Sequence, residues 1–70
     1  MEQFQLRAGE DFIRLGQILK AAGMVDTGAE AKEVIQGGMV SVNAETETRR
    51  GKKLHSGDIV SYDGKELQII

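Results

Sequence analysis

Cysteine, proline and tryptophan are absent from these 70 residues, and aromatic rings are scarce, with two phenylalanines and one tyrosine. Without cysteine there are no disulfide staples, no thiolate chemistry and none of the common zinc sites, a usage that fits a reducing compartment. No run approaches the ~18 apolar residues of a membrane span. The stretch Met1-Glu2-Gln3-Phe4-Gln5-Leu6-Arg7 has neither the basic start nor the apolar segment of a secretory signal. A cytoplasmic module without membrane association is therefore expected, as one domain over residues 1–70. A chain of this length buries only about 60% of its unfolded surface, so its core is modest.

The charges are plentiful and sorted. Residues 1–48 carry four basic and eight acidic side chains, residues 49–53 four basic and none acidic, and residues 54–70 one basic and three acidic. The net charge of −2 thus conceals a block of +4 on five consecutive residues. An acidic surface argues against indiscriminate polyanion binding but leaves room for one focused site.

Periodicity gives the architecture. Phe4 and Leu6 alternate with polar neighbours, which predicts a strand over 3–7. Gly9-Glu10-Asp11 reads as a turn and helix start, and Phe12, Leu15, Ile18, Leu19 and Ala22 form one helical face that ends at Gly23. Thr27-Gly28-Ala29-Glu30 matches a capping box, Ala31, Val34 and Ile35 form the next apolar stripe, and Gly37-Gly38 stops it. From Met39 the period is two: Val40-Ser41-Val42 is a strand, Asn43-Ala44 a turn position, and Glu45-Thr46-Glu47-Thr48 a second extended piece. Ser56-Gly57-Asp58 is a turn before the strand Ile59-Val60-Ser61-Tyr62. Asp63-Gly64 is a strong hairpin signal before Leu67 and Ile69. The fold class is α+β: a two-helix hairpin packed on a small, mostly antiparallel sheet of four to five short strands.

Enzymatic constellations are thin. Ser56, His55 and Asp58 lie within one turn, where adjacent side chains rarely face one another, and no oxyanion hole is apparent. Glu45 and Glu47 share a strand face, but paired carboxylates catalyse only within a cleft. Neither a Walker loop nor a dinucleotide fingerprint is present. Small β-grasp sulfur carriers end in Gly-Gly, whereas this chain ends Leu67-Gln68-Ile69-Ile70. No catalytic residue, cofactor or metal is expected.

The run Arg49-Arg50-Gly51-Lys52-Lys53, continued by Leu54-His55, asks for an explanation. Arginine presents a planar fork to phosphate, lysine a mobile point charge, and Gly51 lets the two pairs splay. The plainer reading is a solvated loop neutralised by Glu45, Glu47 or Asp58. A second anion site is offered where the second helix starts: Gly28 permits close approach to the helix tip and Lys32 lies near the end of the first turn. Thr27 and Glu30 read first as caps. Single-strand binders stack successive bases on several exposed rings. Phe4 and Phe12 fall on apolar periods, and Tyr62 reads as a core or rim residue, so any nucleic acid would be held by phosphate and shape. Structured RNA fits that constraint. A basic loop docking on an acidic protein, as in an adaptor or ribosome-associated factor, is the alternative.

Two helices, Gly37-Gly38, Val40-Ser41-Val42-Asn43 and then Gly57-Asp58-Ile59 resemble the RNA-binding domain family named after the fourth small-subunit ribosomal protein. Its motif runs roughly G-x-V-x-V-N-G, with G-D about a dozen residues on. Leu15-Gly16-Gln17-Ile18-Leu19-Lys20, Thr27-Gly28-Ala29-Glu30-Ala31-Lys32 and Glu47-Thr48-Arg49-Arg50-Gly51-Lys52-Lys53-Leu54 resemble its small free-standing bacterial members, the YbcJ/YaaA-like proteins. The resemblance covers essentially the whole chain. It implies the alpha-L RNA-binding motif, a non-catalytic role on structured RNA such as ribosomal RNA or the ribosome, and a monomer. Carried over by position, the RNA-binding residues are Thr27, Gly28, Lys32, Asn43, Arg49, Arg50, Lys52, Lys53 and His55. Two positions depart from the pattern. Thr27-Gly28 replaces a Ser-Arg pair, leaving Lys32 to compensate for the lost cation. Ala44 stands where the family's glycine eases a tight turn, and Asn43, which tolerates left-handed backbone, then has a structural reading beside its binding one.

Overall fold

The computed structural model describes residues 1–70. Its elements are β1 (Glu2–Phe4), β2 (Ile13–Arg14), α1 (Leu15–Ala21), α2 (Gly28–Gln36), β3 (Val40–Val42), β4 (Glu45–Thr46), β5 (Lys53–Leu54), β6 (Ile59–Tyr62) and β7 (Lys65–Ile69). Five strands form one sheet in the order β1-β7-β6-β3-β4. Only the β1–β7 pair is parallel. A separate antiparallel ribbon joins β2 to β5, with Ile13 opposite Leu54 and Arg14 opposite Lys53.

One core of 13 apolar residues lies between the helices and the main sheet. Leu15, Ile18 and Leu19 enter it from α1, and Ala31, Val34 and Ile35 from α2. Val40, Val42, Val60, Leu67 and Ile69 supply the sheet side. No polar residue is buried, so the core needs no internal hydrogen bonding to offset desolvation. The α2 stripe falls where periodicity predicts it, and Thr27 Oγ1 accepts the Glu30 N–H at 3.0 Å. Glu30 reaches back to the Asp26 N–H at 2.8 Å. One orphan donor of the first turn is thereby satisfied, and the chain entering the helix is pinned at Asp26.

The first helix departs from expectation. It starts at Leu15 rather than near Gly9-Glu10-Asp11, because Ile13 and Arg14 are drawn into the ribbon with Lys53 and Leu54. The free N–H groups at its start are met by the distant basic loop: Leu15 donates to the Lys52 carbonyl at 2.9 Å and Gly16 to the Arg50 carbonyl at 3.0 Å. Gln17 Oε1 accepts the Arg14 N–H at 3.1 Å. Phe12 therefore lies off the helical face assigned to it and outside the core cluster, packed against it from neither helix. The amino-terminal strand is also displaced, to Glu2–Phe4, with Leu6 still tied to the Ile70 carbonyl.

The turn between β3 and β4 is tight despite Ala44. Asn43 (φ 52°) and Ala44 (φ 69°) are both left-handed, as a two-residue hairpin turn requires. Asparagine tolerates this; alanine is strained by about 1–2 kcal/mol. Ala44→Gly is expected to raise stability by about 0.5–1 kcal/mol, the relief of strain less the extra freedom glycine has when unfolded. A urea titration of the two proteins checks this, and an unchanged midpoint would show the strain to be absorbed elsewhere.

Candidate nucleic-acid interface

The four cations of the basic run divide into two pairs. Arg49 and Lys52 turn toward the β3–β4 hairpin, where they share a hollow with Asn43, Glu45 and Glu47. Arg49 is clasped there: its Nε lies 2.9 Å and its Nη2 3.0 Å from the two oxygens of Glu47, whose Oε2 also accepts the Arg49 backbone N–H. This is the molecule's one ion pair.

The pairing shifts both groups. Hydrogen bonds from the Arg49 side chain, then from its backbone N–H, lower the Glu47 carboxyl from 4.5 to about 2, against the upward push of burial. The charges of Arg49 and Lys52 assist. Hydrogen bonding to Glu47, and then its charge, raise Arg49 above its ordinary value. A carboxyl held below its unfolded value stabilises the fold fully above that value, and the contribution disappears as pH falls through about 2. An NMR titration should therefore place the Glu47 midpoint near 2 in the native protein and higher, though still below 4.5, in Arg49→Ala, which removes the side-chain hydrogen bonds and keeps the backbone N–H. A midpoint that Arg49→Ala leaves in place would refute the clasp.

Arg50 turns the other way, against Gly16 of α1, and Lys53 lies over Phe12. A cleft of ≈ 460 Å³ opens between the starts of the two helices. Arg14, Lys20 and Arg50 supply its charge, and Gly16, Gln17, Gly28 and Gly51 the rest of its wall. No carboxylate is paired with any of these cations. Arg14 Nη1 donates to the Gly51 carbonyl at 3.1 Å, which ties the loop across the cleft. A β-carbon at Gly16 would lie 2.7 Å from Cγ of Arg50, so glycine there lets the Arg50 side chain lie flat on the helix start. At Gly28 a β-carbon would meet nothing within 4 Å. The fold itself does not require glycine at that position; the open space belongs to the cleft.

The outward face of the β2–β5 ribbon continues the cationic surface. Side chains alternate across a ribbon, so Ile13 and Leu54 turn inward while Arg14 and Lys53 turn outward. Lys53 Nζ stands 4.8 Å and Arg14 Cζ 5.5 Å from the centre of the Phe12 ring. The exposed His55 ring lies 6.4 Å from that of Phe12. Its backbone N–H donates to Asp58 Oδ2 at 2.8 Å. Asn43 Nδ2 donates to Asp58 Oδ1 at 3.0 Å, and Asn43 Oδ1 accepts the Ile59 N–H at 2.9 Å. Burial pushes the Asp58 carboxyl up, but those two hydrogen bonds and the charges of His55 and Lys52 bring it below its ordinary value.

A family model described as S4 domain matches residues 4–70. The chain belongs to the S4 domain family. The "Probable ribosome maturation protein RlbA" of Bacillus subtilis (strain 168) is 43% identical over 54 residues, covering 77% of this chain and 76% of that protein. YbcJ of Escherichia coli (strain K12) is 36% identical over 58 residues, 83% of each chain. The solution structure of YbcJ, described as revealing an "alfaL motif involved in RNA-binding", superimposes with a TM-score of 0.73 at 34% identity. It covers all of this chain and 87% of that one.

Within this S4 domain the residues singled out by sequence fall into three groups, with Lys32 apart from them. Gly28 and Arg50 meet at the cleft, and Lys53 and His55 flank it on the ribbon. Arg49 and Lys52 occupy the acidic hollow on the other side. Thr27 caps α2 and Asn43 binds the Asp58–Ile59 turn, so both polar groups are already engaged. Lys32 is exposed one helical turn beyond Gly28 and is not part of the cleft wall. Sequence reading missed Arg14, Gln17 and Lys20. Their signal was present, because they occupy the polar positions along a helix, from its cap at Arg14 to its last turn at Lys20, whose apolar face is Leu15, Ile18 and Leu19.

Proposed function

We propose that this S4 domain is a non-catalytic module that binds structured RNA, ribosomal RNA being the favoured class, as a cytoplasmic monomer. The observation that carries the reading is the cleft in which Arg14, Lys20 and Arg50 converge without a carboxylate partner at two helix starts. Guanidinium forks free of carboxylates and the N–H groups at the start of α2 suit phosphate oxygens, those of Leu15 and Gly16 in α1 being taken by loop carbonyls. Arg50 and Lys53 bind phosphates directly, Gly28 admits the backbone, His55 and Lys32 extend the contact, and Arg49 and Lys52 meet a more distant strand. Thr27 and Asn43 hold the two loops in place. The RNA-binding motif named for YbcJ and the ribosome maturation named for RlbA support this reading. Among large apolar side chains only Met1, Met39 and Ile70 are exposed, too little for an obligate partner subunit.

Crosslinking in cells, followed by sequencing of the recovered RNA, tests the proposal. Recovery of ribosomal or other folded RNA is the expected result. A crosslinked partner that survives ribonuclease treatment, with no RNA enriched, would replace it with protein docking through the same basic surface.

A further inference from the structure

Phe12 is the ring the core leaves unused. It borders a second cleft, ≈ 430 Å³, formed with Gly9, Glu10, Asp11, Arg14 and Gln17. Arg14 and Gln17 also line the cationic cleft, so the two hollows adjoin across these side chains. Their chemistry differs. Glu10 and Asp11 are exposed carboxylates outside any ion pair, and they repel phosphate. Such groups are misplaced in a hollow for the RNA backbone. An aromatic plane beside free acceptors instead suits a nucleobase, whose face stacks and whose edge carries N–H groups. Lys53 and Arg14 lie over the Phe12 ring, so a stacking base takes the place of one of these cations, which is then free to meet the sugar-phosphate that accompanies the base.

The acceptor pair also selects among bases. Guanine alone has two adjacent donors on its Watson–Crick edge, N1–H and the N2 amino group, and a carboxylate takes both at once. Uracil presents one donor between two carbonyls, which a carboxylate repels. Adenine and cytosine each set an acceptor beside their donor. We propose that this second cleft receives one unpaired guanine, stacked on Phe12 and held at its donor edge by Asp11 or Glu10, with its phosphate in the cleft of Arg14 and Arg50. The inference rests on the RNA-binding reading above and names the feature of the RNA recognised.

The test uses the full chain and three synthetic RNA hairpins: a fully paired stem, the same stem with one bulged guanosine, and the same stem with one bulged uridine. The guanosine bulge should bind about tenfold more tightly than the paired stem, the range expected of one stacked base. Phe12→Leu, which keeps an apolar side chain outside the core, should abolish that advantage and leave affinity for the paired stem unchanged. Glu10→Gln with Asp11→Asn should bring the guanosine-to-uridine ratio to about one. Equal binding of all three hairpins by the native protein overturns the guanine site and leaves the RNA reading standing. Equal weakening of all three by Phe12→Leu also overturns it. If none of the three binds, the RNA-binding reading fails, and the site with it.

Discussion

Replacing Arg14 and Arg50 together by alanine is expected to weaken binding to structured RNA by about sixtyfold at 0.1 M salt. Each phosphate contact contributes about 0.9 to the logarithmic salt slope, or about eightfold in affinity at 0.1 M, and two contacts multiply. The slope of log affinity against log salt should fall by about 2 in the double variant. Arg49→Ala with Lys52→Ala removes the same formal charge, yet should cost much less. Arg49 must first give up Glu47, and Lys52 stands in an acidic hollow. The fold should survive in both. The first pair loses one exposed hydrogen bond from Arg14 to Gly51, about 1 kcal/mol, and the second loses one exposed ion pair. Equal losses of affinity in the two variants would show that charge number alone, without the cleft, governs binding. Thermal melts of both proteins separate that outcome from unfolding.

The second large effect lies beneath the basic run. Leu54 is completely buried, and it anchors β5 against the core while its neighbour Lys53 faces outward. Leu54→Ala leaves a cavity in a core of 13 residues and should cost about 3 kcal/mol, within the usual range for such truncations. A chain of 70 residues has about 3.5–10 kcal/mol of stability in total, so the variant should melt about 12–24 °C lower. Because the carbonyls of Arg50 and Lys52 hold the start of α1, loosening β5 also frees that end of the helix. RNA affinity should therefore fall even below the melting transition. Ile70→Ala, at a residue 43% exposed, is the matching control and should leave melting within a few degrees of the native value. A Leu54→Ala protein as stable as that control would mean the ribbon is not part of the cooperative unit.

Much of this was legible from local pattern. The second helix could be read to its caps, because Thr27, Glu30 and the stripe Ala31, Val34 and Ile35 each act over three or four residues. The hairpins at Asn43-Ala44 and Asp63-Gly64 are equally local, since left-handed backbone is required at the turn itself. The alternation of Val40 and Val42, and of Leu67 and Ile69, placed those strands on the core. Even the amino-terminal helix was correct along its apolar face from Leu15 to Leu19.

Chain order along the sequence decided the charge, the helices, the turns and the family, since each is written in neighbours a few residues apart. Tertiary structure alone decided what the charges do. Leu54 pairs with Ile13, 41 positions away along the chain, and that contact delays the start of α1 to Leu15, turns Phe12 out of the core and brings Arg14 beside Lys53. The same contact divides a continuous cationic run, with Arg50 facing an open cleft, Lys53 beside it on the ribbon, and Arg49 and Lys52 facing carboxylates. Periodicity reports which side of an element is apolar; it holds no record of which distant strand will meet it. Coulomb attraction and hydrogen bonding act through space, so the partner of Arg49 and the freedom of Arg50 became readable only once the chain had folded.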